Sequence, residues 1–490
     1  MSGFRLLDVV KILVPLLPEI ELPDKLMSVD EKVVYTVSSG LVFVMSHLPI
    51  YGLVKDAPLK MVDPLFAWRP LFAMEQGTLM ELGLLPMLTA AFLWQVAAAL
   101  KLVKANFMFS HDRELFQSAQ KVTSFVLAAV FGASLIALGY FDAVIRGRSG
   151  ASAWGWYTLI FLQIFGWNVM LTFMVEILDK GYGFGSGLLS YVAFNAATRL
   201  VRDVAGVELV SATPGGTPET YGVVTFLVRA LLSMDFAEIK KAVTGIFFRS
   251  GFPTIGMVLI VLASGLVTIV LQNFRLELPV RSNKARGTAN VYPIKMMYTG
   301  ALPVLFAFTV VANVQIALHF VSIALAPMNP VLAAFVETHG ESGAAIGGVS
   351  FYLSPPSSWT ASLLSPIRAV TYVASIVLLS VWFASLWCEV SGSAPKDIAK
   401  QFKDQEIIIS GKRDASVSRE LAKIIPRSSV TGAALLTAVA LVGELVGASG
   451  KSVSVVVGVS SAFAILEEFM MDLQQNGGSS QLMNSLGVNK

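Results

Sequence analysis

The sequence predicts an all-α polytopic membrane protein of about ten transmembrane helices, arranged as two halves of opposite topology. Three observations carry this. The 490-residue chain is 55% hydrophobic and only 14% charged, with a mean hydropathy of +0.68, whereas soluble domains are about a quarter charged. Apolar runs long enough to cross a hydrocarbon core of about 30 Å recur from end to end. The short loops between them segregate their Lys and Arg residues to one side.

The N-terminal segment, residues 1–32, opens with Phe4–Leu17, which is apolar but broken by Pro15 and followed by Pro18, Glu19 and Glu21. It reads as a cytosolic amphipathic or interfacial helix rather than a signal peptide. In a first half, 33–204, spans are expected at Val33–Val54, Leu79–Val103, Val122–Phe141, Trp156–Leu178 and Gly185–Val204. In a second, 253–473, they are expected at Gly256–Leu271, Met296–Leu325, Ala369–Cys388, Thr431–Val446 and Val453–Met471. Residues 474–490 follow as a cytosolic tail. Between the halves, 205–252 contains the turn-rich SATPGGTPET and an amphipathic piece near Val223–Leu232, and reads as a connecting loop on the far side. An odd number of spans per half inverts the topology of the second relative to the first. Asp56–Met74 breaks the pattern, being mostly apolar yet containing Asp63, Pro64, Arg69 and Pro70. It predicts a short helix at the interface, or one folded back into a cavity, which is tolerated only where protein or water surrounds it.

Lys101, Lys104, Arg113 and Lys180 share a side with the termini and with two basic loops, 275–295 and 390–428. The first loop carries Arg281, Lys284 and Arg286, and the second includes Lys412 and Arg413. On the other side, Ala326–Ser365 has no Lys or Arg, so both termini are expected in the cytosol. Arg229–Arg249, with Lys240 and Lys241, is the exception to this rule. Two cationic loops on one face suit a large anionic partner.

The residues predict no covalent chemistry and call for no cofactor or metal. His47, His111, His319 and His339 are scattered, and the lone Cys388 precludes an intramolecular disulfide. GYGFGSG at Gly181–Gly187 joins two spans without a preceding strand, so it reads as a tight turn and not a phosphate loop. Glu81, Glu176, Asp179, Glu444 and Glu467 fall near span ends, where they are expected to reach water. That argues against an ion-coupled carrier, which keeps an ionisable group deep in its bundle. An inverted-repeat secondary transporter of a small solute is the alternative reading; a purely scaffolding subunit leaves the basic loops and Asp56–Met74 unexplained. Small residues (Ala90, Ala91, Ala97–Ala99, Gly132, Ala133) let helices approach closely, with Thr89, Gln95 and Asn313 embedded among the spans.

Six motifs then occur in order: GTLMELGLLP (Gly77–Pro86), DRELFQSAQK (Asp112–Lys121), DKGYGFGSG (Asp179–Gly187), the Glu277–Lys295 loop, YLSPP (Tyr352–Pro356) and EVSGSAPKDIAKQFKDQ (Glu389–Gln405). Through them the whole chain resembles the protein-conducting channel family, which comprises SecY and the alpha subunit of the endoplasmic reticulum translocon. The opening MSGFRLLDVV, RELFQS and the ending QQNGGSSQLMNSLGV are most similar to the second, paralogous alpha subunit of yeasts.

The resemblance implies a multi-pass protein of the endoplasmic reticulum membrane. Its two halves would enclose a pore that passes nascent secretory chains, and a gate would release signal sequences into the lipid bilayer. A docked ribosome and two small single-span partners, the beta and gamma subunits, are expected with it. An apolar waist carries over to Leu84, Leu88, Leu188, Val192, Leu305 and Val457, and a plug to 56–74, including Met61, Val62, Leu65, Phe66 and Trp68. The lateral gate would lie between the second and third spans and the seventh and eighth. Thr89 and Asn313 match its polar cluster, but Phe131 stands where the family usually has Gln. The ribosome contacts would be Arg281, Lys284, Arg286, Lys412 and Arg413.

Overall fold

The computed structural model describes residues 10–475, apart from 12–13, 26, 54–62, 64, 104–108, 143–144, 146–151, 211–218, 233–235, 250–251, 283–288, 340–344, 357, 391–393, 405–406 and 410–413. The first half contains α1 (Val29–Met45), α2 (Leu85–Ala99), α3 (Ser110–Ala137), α4 (Ser152–Ile177) and α5 (Gly187–Ala205). The segment between the halves holds a minimal ribbon, β1 (Leu209–Val210) with β2 (Glu219–Thr220), then α6 (Val223–Leu232) and α7 (Phe236–Phe248). The second half opens with α8 (Ile255–Gln272), the hairpin β3 (Arg275–Ser282) and β4 (Ala289–Lys295), and α9 (Leu302–Leu325). Three short helices follow, α10 (Pro330–Val336), α11 (Val349–Leu353) and α12 (Trp359–Leu364), with β5 (Thr338–His339) and β6 (Ala345–Gly347) between the first two. The chain continues through α13 (Pro366–Val390), α14 (Pro395–Asp404), β7 (Ile407–Ile409), α15 (Asp414–Val446) and α16 (Lys451–Gln475).

Each of the ten apolar runs overlaps a helix, and among the described residues seven helices are long and apolar enough to cross a membrane. Several boundaries differ from expectation: the first helix ends at Met45, short of Val54, the third starts at Ser110, ahead of Val122, and three more differ for identifiable reasons. The helix within the second run starts at Leu85, because residues 75–84 spend their backbone on turns and Pro86 favours a helix start. In the seventh run, Leu302 and Pro303 likewise open α9, six residues after the apolar run begins. Helix α15 begins at Asp414 and runs through Pro426, since helix formation needs no apolar composition and hydropathy sees only the lipid-grade part.

The halves meet along two seams. Helix α5 packs on α16. A Cβ at Gly458 would sit 2.7 Å from the Ala196 Cβ, so the missing side chain permits the approach. On the other seam α2 packs against α9 and α13. There the Phe92 ring lies 5.2 Å from Phe383 and 6.3 Å from Phe306, in edge-on or tilted geometry. Val10 is buried against Trp94, Leu115 and Phe116, so the start of the described N-terminal segment packs on α2 and α3, while Ile20 and Glu21 reach Glu176, Lys180 and Tyr182. Residues 1–9 lie outside the described residues.

Candidate functional site

The residues assigned to the waist come together. Leu84, Leu88, Val192, Leu305 and Val457 are fully buried in one apolar cluster drawn from both halves, and Leu188 packs against it. The same cluster contains Leu65, Trp68, Leu71 and Phe72 of the non-spanning segment. An aliphatic lining contributed by several helices seals by dispersion contact alone and makes no fixed hydrogen bonds.

Residues 65–73 form consecutive turns in place of the expected regular helix. Pro70 has no amide to give, and the amides of Trp68, Arg69, Leu71 and Phe72 close i+3 or i+4 turns. Leu65 and Trp68 are buried, whereas Phe66 is 70% exposed and stands apart from the waist. Met61 and Val62 lie outside the described residues.

Polar tethers hold this segment to both halves. Trp68 Nε1 donates to Gln315 Oε1 on α9 at 2.7 Å, and Asn195 Nδ2 on α5 donates to the Pro70 carbonyl at 2.5 Å. Arg199 reaches the Met74 carbonyl at 2.5 Å and Glu75 at 3.1 Å. Arg69 is clasped by Asp63 at 2.6 Å, by Glu81 at 2.5 Å and by the Tyr140 hydroxyl at 3.0 Å. Glu81 is therefore fully buried and paired, contrary to the expectation that it reaches water.

Glu444 corrects the same expectation. It is 1% exposed, and both carboxylate oxygens accept the Gly450 amide, at 2.8 and 2.9 Å. Gly450 has a φ of 78°, and a Cβ there would lie 2.7 Å from the Ala67 carbonyl oxygen, so this turn is shaped against the non-spanning segment. Both buried carboxylates thus have structural partners. Glu176 pairs with Lys121 at 2.6 Å, and Asp179 accepts the Gly187 amide at 2.7 Å, closing the GYGFGSG turn.

At the α2–α9 seam, Asn313 Nδ2 donates to Thr89 Oγ1 at 2.8 Å and to the Thr309 carbonyl at 2.8 Å. Phe131 is half-buried and packs where the waist cluster meets a second cluster built from α3 and α4.

The two basic loops are not independent. Strands β4, β3 and β7 form one antiparallel sheet, with Arg281 opposite Ala289 on one side and Ile408 on the other. Val280 and Ile294 of this sheet bury against Ile398, Phe402, Leu421, Ile425 and Cys388. Glu467 anchors its base by pairing with Lys295 and, at 3.3 Å, with Arg275. Lys284, Arg286, Lys412 and Arg413 lie outside the described residues. Their flanking strands are nevertheless neighbours: β3 ends at Ser282 opposite Ile407, and β7 ends at Ile409 opposite Val280.

Gln315, Asn195, Arg199 and the Arg69–Glu81 pair were not singled out from the sequence. An ionisable residue inside an apolar run is itself a signal that a partner exists, and Arg199 carried that signal.

Comparison with known proteins agrees with this geometry. Residues 78–466 match SecY, and residues 42–77 match the plug domain of Sec61p. The chain is 37% identical to the Sec sixty-one protein homolog of Saccharomyces cerevisiae, over 100% of this chain and 99% of that one. It is 34% identical to the protein transport protein SEC61 subunit alpha of Wickerhamomyces anomalus, over 95% and 96%. Among solved structures, a chain of the idle yeast Ssh1 complex bound to the yeast 80S ribosome superposes with a TM-score of 0.76 at 35% identity, covering 99% of this chain and 98% of that one. With a family match across most of its length and full-length relatives above 30% identity, the chain belongs to the SecY family of protein-conducting channels.

Proposed function

We propose that this chain is the pore-forming subunit of a protein translocation channel in the endoplasmic reticulum membrane, working mainly co-translationally with a docked ribosome. The observation that carries this reading is the plug-matching segment seated in an apolar waist supplied by both halves. On this reading ten helices cross the membrane with both termini cytosolic, in two five-helix halves hinged at 205–252. The waist is Leu84, Leu88, Leu188, Val192, Leu305 and Val457, and Leu65 and Trp68 of the plug close it in the resting state. A chain entering from the cytosol displaces the plug by breaking a few tethers, while the aliphatic ring closes around it without binding it. The gate is the α2–α9 seam with α3 and α13 beside it, where Thr89 and Asn313 must part for a signal sequence to enter lipid. The protein supplies a path and a seal, and chain elongation supplies the energy.

The β4–β3–β7 sheet supports a ribosome-binding role, since it forms a platform that holds two cationic loops together. Arg286 and Arg413 are assigned to ribosomal RNA phosphates, with Arg281, Lys284 and Lys412 in support. Small beta and gamma subunits complete the complex. Co-purification with ribosomes in detergent tests the reading. Binding should weaken steeply with salt and fall roughly tenfold in Arg413→Glu and Arg286→Glu. Undiminished binding in both variants would sink the loop assignment.

A further inference from the structure

Helices α6 and α7, in the segment between the halves, present an apolar face that the rest of the described chain leaves bare. Val224, Val228, Leu231 and Leu232 on α6 are 45–76% exposed, as are Val243 (49%) and Phe247 (60%) on α7. The four α6 positions recur at i, i+4, i+7 and i+8, which is a single stripe of a helix. The inward side is separately satisfied. Val223 and Ile246 bury against Val258 of α8, and Arg249 stacks on Phe226 and Phe252 at 4.1 and 4.4 Å. Soluble surfaces seldom keep a contiguous apolar patch of this kind.

Two further observations choose the occupant. Helix α7 packs on α8, whose Leu259, Leu262, Leu266 and Val270 are exposed along a helix apolar enough to span a membrane. The bare face therefore adjoins a lipid-facing one. The segment also carries cations where the charge-orientation rule expects none: exposed Arg229 on α6, and Lys240 and Lys241 within α7. An apolar stripe beside Lys and Arg is the composition of a helix lying in a headgroup layer, its apolar side in the acyl boundary.

We propose that α6 and α7 lie in the headgroup region of the lumenal leaflet, anchoring the hinge between the halves to the bilayer surface. The lumenal side rests on the orientation proposed above; the contact with lipid does not. The full chain with its co-purifying subunits, reconstituted in phosphatidylcholine vesicles, is spin-labelled at Leu231→Cys, Val224→Cys or Phe247→Cys. Lys400→Cys, exposed on α14, is the aqueous control. Cys388 is buried, so the unsubstituted chain reports background labelling.

Labels at the three hinge sites should collide with oxygen several-fold more often than with a water-soluble nickel chelate, and the Lys400 label should show the reverse. Nickel-dominated collisions at the hinge sites would overturn the proposal. So would labels immobilised and reached by neither reagent, which would mean that a protein covers the face. Sidedness is read separately in sealed microsomes. Modification of the Leu231 thiol by an impermeant reagent added outside would reverse the orientation without bearing on depth.

Discussion

Replacing Arg69 with Met should open the channel to ions without unfolding it. The Arg69 side chain is 8% exposed, and its guanidinium carries charge-paired hydrogen bonds to Asp63 and to Glu81, whose side chain is 0% exposed. Met keeps the length of the apolar stem but leaves Glu81 with the Gly77 amide, at 2.6 Å, as its remaining partner shown here. Breaking a buried pair from one side costs about 3–5 kcal/mol, because a charge stays behind in a poorly polar site. The nearest relief is for the plug segment to lift and let water reach Glu81, so the cost falls on the seated state. At about 1.4 kcal/mol per factor of ten, the seated-to-lifted ratio would drop by two to three and a half orders of magnitude, roughly 10²- to 4 × 10³-fold. Reconstituted channels should show this as raised resting conductance. Arg69→Met combined with Glu81→Leu also removes the fully buried carboxylate and leaves Asp63, which is 12% exposed and keeps the Leu65 amide at 3.0 Å, so the double variant should restore much of the seal. A single variant as tight as wild type, or a double variant as leaky as the single, would refute the reasoning.

Deleting residues 60–71 should leave an assembled protein with raised ion leak, because the waist alone seals imperfectly; conductance at wild-type level would count against a plug. Phe131→Gln should relax the hydrophobicity demanded of signal sequences. At about 25 cal/mol per Å² the half-buried ring favours the closed gate by on the order of 1–2 kcal/mol before competition from lipid, and weakly hydrophobic signals inserting no better would show Phe131 to be filler. A double-mutant cycle with Thr89→Val and Asn313→Leu should give a coupling of about 0.6 kcal/mol in gate opening, typical of a hydrogen bond between helices in a bilayer; a coupling of zero would detach this contact from the gate.

The sequence by itself determined where the lipid-grade helices lie and which loops carry the positive charge. Both follow from local composition, since about 20 apolar residues span a bilayer whatever they pack against. The motifs from Gly77–Pro86 to Glu389–Gln405 carried the family, and with it the waist residues, five of which are fully buried together. Tertiary structure decided what local composition does not encode. Glu81 and Glu444 sit near the ends of apolar runs, but Arg69 and the Gly450 turn come to meet them, so they are buried and not solvated. Arg281 and Ile408 stand far apart in sequence and read as parts of two separate loops, yet backbone pairing makes them neighbours in one sheet. Phe66 looks as apolar as Leu65 and Trp68, but the run of turns points it away from the waist. The sheet pairing joins residues far apart in the chain, whereas Glu81 and Glu444 meet partners 12 and 6 residues away that turns carry back to them. Partnership of that kind depends on how helices and strands approach in space, and no run of composition or hydropathy records it.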